Sequence, residues 1–133
     1  MTSEPAVFVI DDEAAMHEAL KGLLGTWGIR AHAFLSTEAF LESYRDELSG
    51  CVLADFRMPG LNGIELFKEL RHRGSSLSFI LMTGHGNREL EQQALNAGIV
   101  AVLEKPFRVD QLKEFLARQC PQLFGGADSA SDT

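Results

Sequence analysis

Short apolar runs alternate along the chain with longer segments in which apolar residues recur at helical period. Ala6-Val7-Phe8-Val9-Ile10 is continuous, rich in β-branched residues and too short for a helix, which predicts a strand buried on both faces. Met16, Leu20, Leu23, Leu24 and Trp27 then form one apolar stripe at helical spacing, and Gly28 supplies the stop. The alternation continues with a weaker strand over Ile29–Phe34, Ser36 as an N-cap, and a helix carrying Phe40, Leu41, Tyr44 and Leu48. A third strand is expected over Cys51–Ala54. The break at Met58-Pro59-Gly60 precedes a helix with Ile64, Phe67 and Leu70 inward, and Asn62 with Glu65 reads as its capping box. Ser78–Met82 is the fourth strand and Arg88–Ala97 the fourth helix, closed by Gly98. Ile99–Leu103 is the fifth strand, and a last helix holding Val109, Leu112, Phe115, Leu116 and Gln119 ends before Pro121.

Strands separated by helices require crossover connections, and crossovers of one hand let all five strands lie parallel with helices on both faces. The expected fold is therefore a doubly wound α/β sandwich. It fills residues 1–121 as one domain, followed by a flexible tail or linker start over 122–133, where Gly125-Gly126 and a Ser/Asp-rich run offer little to bury.

A length of 133 residues with 45% hydrophobic content suits one globular domain with a full core. The net charge of −7 argues against direct binding to nucleic acid or an anionic membrane, since both need a positive footprint. Cys51 and Cys120 lack metal-like spacing and read as core residues. Nothing resembles a signal or membrane segment, so a cytoplasmic location is expected.

In open parallel sheets, ligands bind beyond the carboxyl ends of the strands. The residues at those ends are Asp11 and Asp12, then Asp55, Thr83 and Lys105. Three converging carboxylates repel one another unless a cation joins them, and an all-oxygen donor set suits Mg²⁺ completed by phosphate oxygens. The acidic first loop, with no Gly-x-Gly-x-x-Gly, argues against direct nucleotide binding. Together the residues match a phosphoryl site, with Asp55 as nucleophile, Thr83 as hydroxyl donor and Lys105 neutralising an oxygen of the transferred group.

These residues resemble a receiver domain of a two-component response regulator. The resemblance runs from Ala6 to Gln119 and rests on Asp11-Asp12, the run Asp55-Phe56-Arg57-Met58-Pro59-Gly60-Leu61-Asn62-Gly63, Thr83-Gly84 and Lys105-Pro106-Phe107. It implies a flavodoxin-like sheet of strand order 2-1-3-4-5 and Mg²⁺-dependent phosphorylation of Asp55 by a sensor histidine kinase or phosphotransfer protein. It further implies Mg²⁺ held by Asp12, Asp55 and the backbone carbonyl of Arg57, with Asp11 acting through water, and a cis Lys105–Pro106 bond. Thr83 and Lys105 would hold the phosphoryl group, with Gly84 leaving access to it. Such a domain is a signalling switch rather than an enzyme, limited to accepting the group and slowly hydrolysing it. Members of this kind that precede DNA-binding domains share the Thr83-Gly84-His85-Gly86 pattern, which points to transcription regulation by another domain.

The helix 4–strand 5–helix 5 face is the family's output surface and the place for a phosphorylation-dependent homodimer, although its polar residues here also fit a solvated face. Ala14, Ala15, Met16, Pro106 and Phe107 form the expected kinase-docking rim. Arg57 and His85 occupy positions that affect the phosphate's lifetime in similar receivers. One departure stands out: Val102 occupies the position, three before the lysine, where the family usually carries Tyr or Phe. It keeps open the alternative of a phosphorylation-independent interaction module, against which the retention of Asp11, Asp12, Asp55, Thr83 and Lys105 speaks. A phosphohydrolase of the haloacid dehalogenase kind would need an Asp where Arg57 stands.

Overall fold

A computed structural model describes residues 4–84 and 87–124. Five β-then-α units follow one another: β1 (Ala6–Ile10), α1 (Ala14–Thr26), β2 (Ala31–Phe34), α2 (Thr37–Ser43), β3 (Gly50–Asp55), α3 (Gly63–His72), β4 (Ser78–Thr83), α4 (Arg88–Ala97), β5 (Val102–Glu104) and α5 (Val109–Gln119). The strands form one sheet in the order β2-β1-β3-β4-β5, and every neighbouring pair is parallel. Chain order thus reverses between β1 and β3, which places a crevice at the carboxyl ends of those two strands.

Alternate residues of each central strand feed two cores. Phe8, Ile10, Val52, Ala54, Phe79 and Leu81 pack with Phe40, Leu66, Leu70, Leu90 and Ala94 from α2, α3 and α4. Val7, Val9, Cys51, Leu53, Ile80 and Met82 pack on the other face with Leu20, Leu24, Leu112 and Leu116 from α1 and α5. The continuous apolar runs follow from this burial on both faces.

Three expected boundaries move by two residues or more. The second and fifth strands begin at Ala31 and Val102, later than Ile29 and Ile99. Gly28 (φ 74) and Gly98 (φ 107) end their helices in left-handed conformation, and the next amide reaches back, Ile29 N–H to Leu24 O at 3.0 Å and Ile99 N–H to Ala94 O at 2.9 Å. Both isoleucines therefore belong to helix-terminating motifs, where an apolar residue after the glycine packs back on the helix. Helix α2 stops at Ser43 and does not reach Leu48. Ser43 Oγ donates to Phe40 O at 3.0 Å, a local bond that competes with helix continuation, and Tyr44 is extended.

The capping box of α3 is present, with Asn62 and Glu65 exchanging two 2.8 Å bonds. Past the expected boundary at 121, Pro121–Leu123 forms one 3₁₀ turn, Leu123 is buried in the α1/α5 core, and Phe124 lies 6.4 Å from Trp27 between ring centroids. The rest of the expected tail, 125–133, lies outside the described residues, as does His85. Among the described residues no helix is long and apolar enough to cross a membrane.

Candidate phosphoryl-transfer site

Four strand ends deliver the site. Asp11 and Asp12 follow β1, Asp55 and Thr83 are the last residues of β3 and β4, and Lys105 follows β5. The ends of β4 and β5 are tied by Lys105 N–H donating to Thr83 O at 2.7 Å, and the Lys105–Pro106 bond is cis as expected. Gly63 lets α3 start directly against β3, since a Cβ there would lie 2.8 Å from Asp55 O.

Carboxylate oxygens of Asp11, Asp12 and Asp55 lie within 4.8 Å of one another. Asp11 is fully buried, Asp55 half-buried and Asp12 exposed, so the cluster opens toward solvent on one side. Lys105 Nζ sits 3.2 Å from Asp11 Oδ2 and 3.2 Å from Asp55 Oδ2. Burial raises the Asp55 carboxyl above its ordinary value, Lys105 opposes this, and the Asp11 charge adds to it. Burial alone would lower the Lys105 ammonium, but Asp55 and Asp11 together hold it above its usual range. The cluster thus carries excess negative charge in a partly desolvated setting, which a divalent cation would relieve. An all-carboxylate donor set fits a hard cation that keeps part of its water, as Mg²⁺ does.

Thr83 Oγ1 is buried and has no hydrogen-bond partner among the described residues. A buried hydroxyl normally finds one, so that of Thr83 stands out as a free donor. Beside it, Asp55, Phe56, Arg57, Gly84, Asn87, Leu90 and Lys105 line a cleft of about 400 Å³. Asn87 Oδ1 caps α4 by accepting from Leu90 N–H at 3.2 Å, a role that the sequence expectation did not include and that an Asn directly before the first helical residue signals.

The apolar rim differs in part from expectation. Met16, Pro106 and Phe107 line a groove of about 520 Å³, joined by Ala19, Leu20, Leu23 and Lys105, whereas Ala14 and Ala15 do not line it. The helical spacing of Met16, Ala19, Leu20 and Leu23 carried that signal. Val102 pairs with Leu81 across β4/β5 and packs partly buried against the core shared by α2, α3 and α4. On the neighbouring surface Leu95 is 54% and Val100 74% exposed, so the face is less polar than its charged residues suggested.

A family model described as the response regulator receiver domain matches residues 7–117. The transcriptional regulatory protein FixJ of Bradyrhizobium diazoefficiens is 43% identical over 84% of this chain and 55% of its own length. FixJ of Azorhizobium caulinodans is 44% identical over 76% of this chain and 48% of its own. This chain therefore spans about half the length of these curated relatives. Among solved structures, the response regulator StyR aligns at a TM-score of 0.82 with 33% identity, covering 91% of this chain and 61% of that one. The structure titled FixJ-N aligns at 0.81 with 31% identity, covering 89% and 94%. With the strand order, the acidic cluster and the Thr83 and Lys105 positions already in place, these matches show that the chain belongs to the response regulator receiver domain family.

Proposed function

We propose that Asp55 is the phosphoacceptor of a Mg²⁺-dependent signalling switch, fed by a sensor histidine kinase or a phosphotransfer protein. The observation that carries this reading is the bridge from Lys105 to both Asp11 and Asp55 within a cluster of three carboxylates. An Asp55 oxygen attacks phosphorus, the O–P bond forms as the N–P bond of a phosphohistidine breaks, and the imidazole leaves with the bonding pair. Lys105 neutralises an oxygen of the moving group, and the unpaired Thr83 hydroxyl donates to another. Asp12, Asp55 and the Arg57 carbonyl would hold Mg²⁺, with Asp11 acting through water. When bound, the ion supplies charge neutralisation for the carboxylates and the phosphoryl oxygens.

The phosphoryl group carries about −1.5 to −2 near neutral pH in place of the single carboxylate charge of Asp55, and the net gain biases the surrounding loops. The groove along α1 and Phe107 is the docking surface for a kinase helix, and exposed Leu95 and Val100 supply a face for a phosphorylation-dependent homodimer. DNA binding would belong to another domain of a longer regulator, as the name and length of FixJ suggest. Intact-mass analysis after incubation with acetyl phosphate tests the phosphoryl chemistry. One added phosphoryl mass is expected in the Mg²⁺-containing wild type and in neither Asp55→Asn nor chelated samples. No addition from acetyl phosphate or a phosphorylated kinase would favour the interaction module.

A further inference from the structure

His17 lies on the first turn of α1, is buried, and points back toward the acidic loop. Its Nε2 is 2.5 Å from the backbone carbonyl of Asp11. A carbonyl can only accept, so Nε2 carries the proton in this contact. The bond completes the fixation of Asp11, whose other polar groups are already engaged. Asp11 N–H donates to Phe34 O at 3.1 Å, Oδ1 accepts from Glu13 N–H at 2.9 Å, and Oδ2 accepts from Lys105 at 3.2 Å. Glu13, the N-cap of α1, makes no capping bond through its own side chain, so the loop draws its rigidity from Asp11 and His17.

The Asp11 carbonyl belongs to the peptide that leads into Asp12. Holding that oxygen fixes the plane of the Asp11–Asp12 peptide, and so places the N and Cα from which the exposed Asp12 side chain departs. We propose that His17 is a positioning residue for the Mg²⁺ site: its Nε2–H clamps the Asp11 carbonyl so that the Asp12 carboxylate is held beside Asp55. This inference rests on the Mg²⁺ reading above. Partners that orient a metal-binding element through a hydrogen bond, without touching the ion, contribute substantially to affinity.

The test is Mg²⁺ binding to the whole chain by calorimetry, with the metal alone as titrant, for wild type, His17→Met and His17→Gln. Methionine fills the space without a donor. Glutamine carries its Nε2 the same number of bonds from Cα as histidine does. His17→Met should weaken Mg²⁺ binding by about 10-fold, and His17→Gln should restore it to near the wild-type value. If His17 serves only the packing of α1, His17→Met lowers thermal stability and leaves the Mg²⁺ affinity unchanged, which overturns the inference. Loss of affinity in a folded His17→Gln overturns it as well. Ring ¹⁵N shifts of wild-type His17 provide a check independent of any variant, with the Nε2–H form expected and the Nδ1–H form contradicting the clamp. Absence of Mg²⁺ binding by the wild type would instead remove the metal reading, and the positioning role with it.

Discussion

Replacing Lys105 with Met takes one positive charge from between two carboxylates and leaves most of the side chain's volume. At the observed 3.2 Å, each ion pair corresponds to about 1.3 kcal/mol in bulk water and about 5 kcal/mol at an effective dielectric of 20. The side chains of Lys105, Asp11 and Asp55 are 22%, 0% and 16% exposed, which places the pairs toward the buried end of that range. Gross attraction is offset by the desolvation of the ammonium, but removing one partner leaves the other charges buried, for which about 3–5 kcal/mol is typical. The open side of the cluster admits water and salt, so we expect Lys105→Met to lose about 2–4 kcal/mol near neutral pH without metal. On the proposed metal reading, Mg²⁺ would add positive charge to the same carboxylates and should narrow the gap. Urea unfolding of both proteins, in chelator and in Mg²⁺, reads the difference. A loss below about 0.5 kcal/mol in chelator, the range of ordinary surface substitutions, would refute the ion-pair reasoning. A gap that Mg²⁺ leaves unchanged would count against the metal reading of the same carboxylates.

Because burial raises the folded Asp55 carboxyl above its unfolded value of 3.8, ionisation of Asp55 costs stability, and its contribution falls as pH rises from 3.8 through the folded value. Asp55→Asn should therefore be more stable than wild type above that window in chelator, measured by urea unfolding across pH; equal stability at every pH would contradict it. Gly63→Ala puts a Cβ against Leu81 and 2.8 Å from Asp55 O, with an expected loss of about 1–3 kcal/mol in the same assay. A loss within error would show that α3 does not press on β3. Cys51 is fully buried and its thiol is pushed up by burial and by the neighbouring Cys120, so the native chain should resist thiol labelling that the urea-unfolded chain accepts. Rapid native labelling of Cys51 would contradict this packing.

The strand ends were legible because chemistry and periodicity coincide there: three buried apolar runs stop directly at Asp11, Asp55 and Thr83, and a fourth stops one residue before Lys105. Those positions converge only when the sheet is parallel, which the β-then-α alternation already required. Ile29 and Ile99 misled because an apolar residue beside a strand has the same composition whether it extends the strand or closes the preceding helix. Only the positive φ of Gly28 and Gly98 separates the two cases. Leu48 misled similarly, since it packs on the core from an irregular segment. The grip of His17 on Asp11 was invisible for a different reason. It depends on one side chain bending back along the helix to a main-chain oxygen, and main-chain acceptors leave no trace in a pattern of side chains.

The most direct measurement is to locate the phosphoryl group. The chain is incubated with acetyl phosphate and Mg²⁺, reduced with borohydride so that an aspartyl phosphate becomes homoserine, and digested for peptide mass mapping. Homoserine at position 55 alone is the expected result. Homoserine at 11 or 12 with Asp55 intact, or an unmodified chain after incubation with both acetyl phosphate and a phosphorylated histidine kinase, would contradict the assignment of Asp55 as phosphoacceptor.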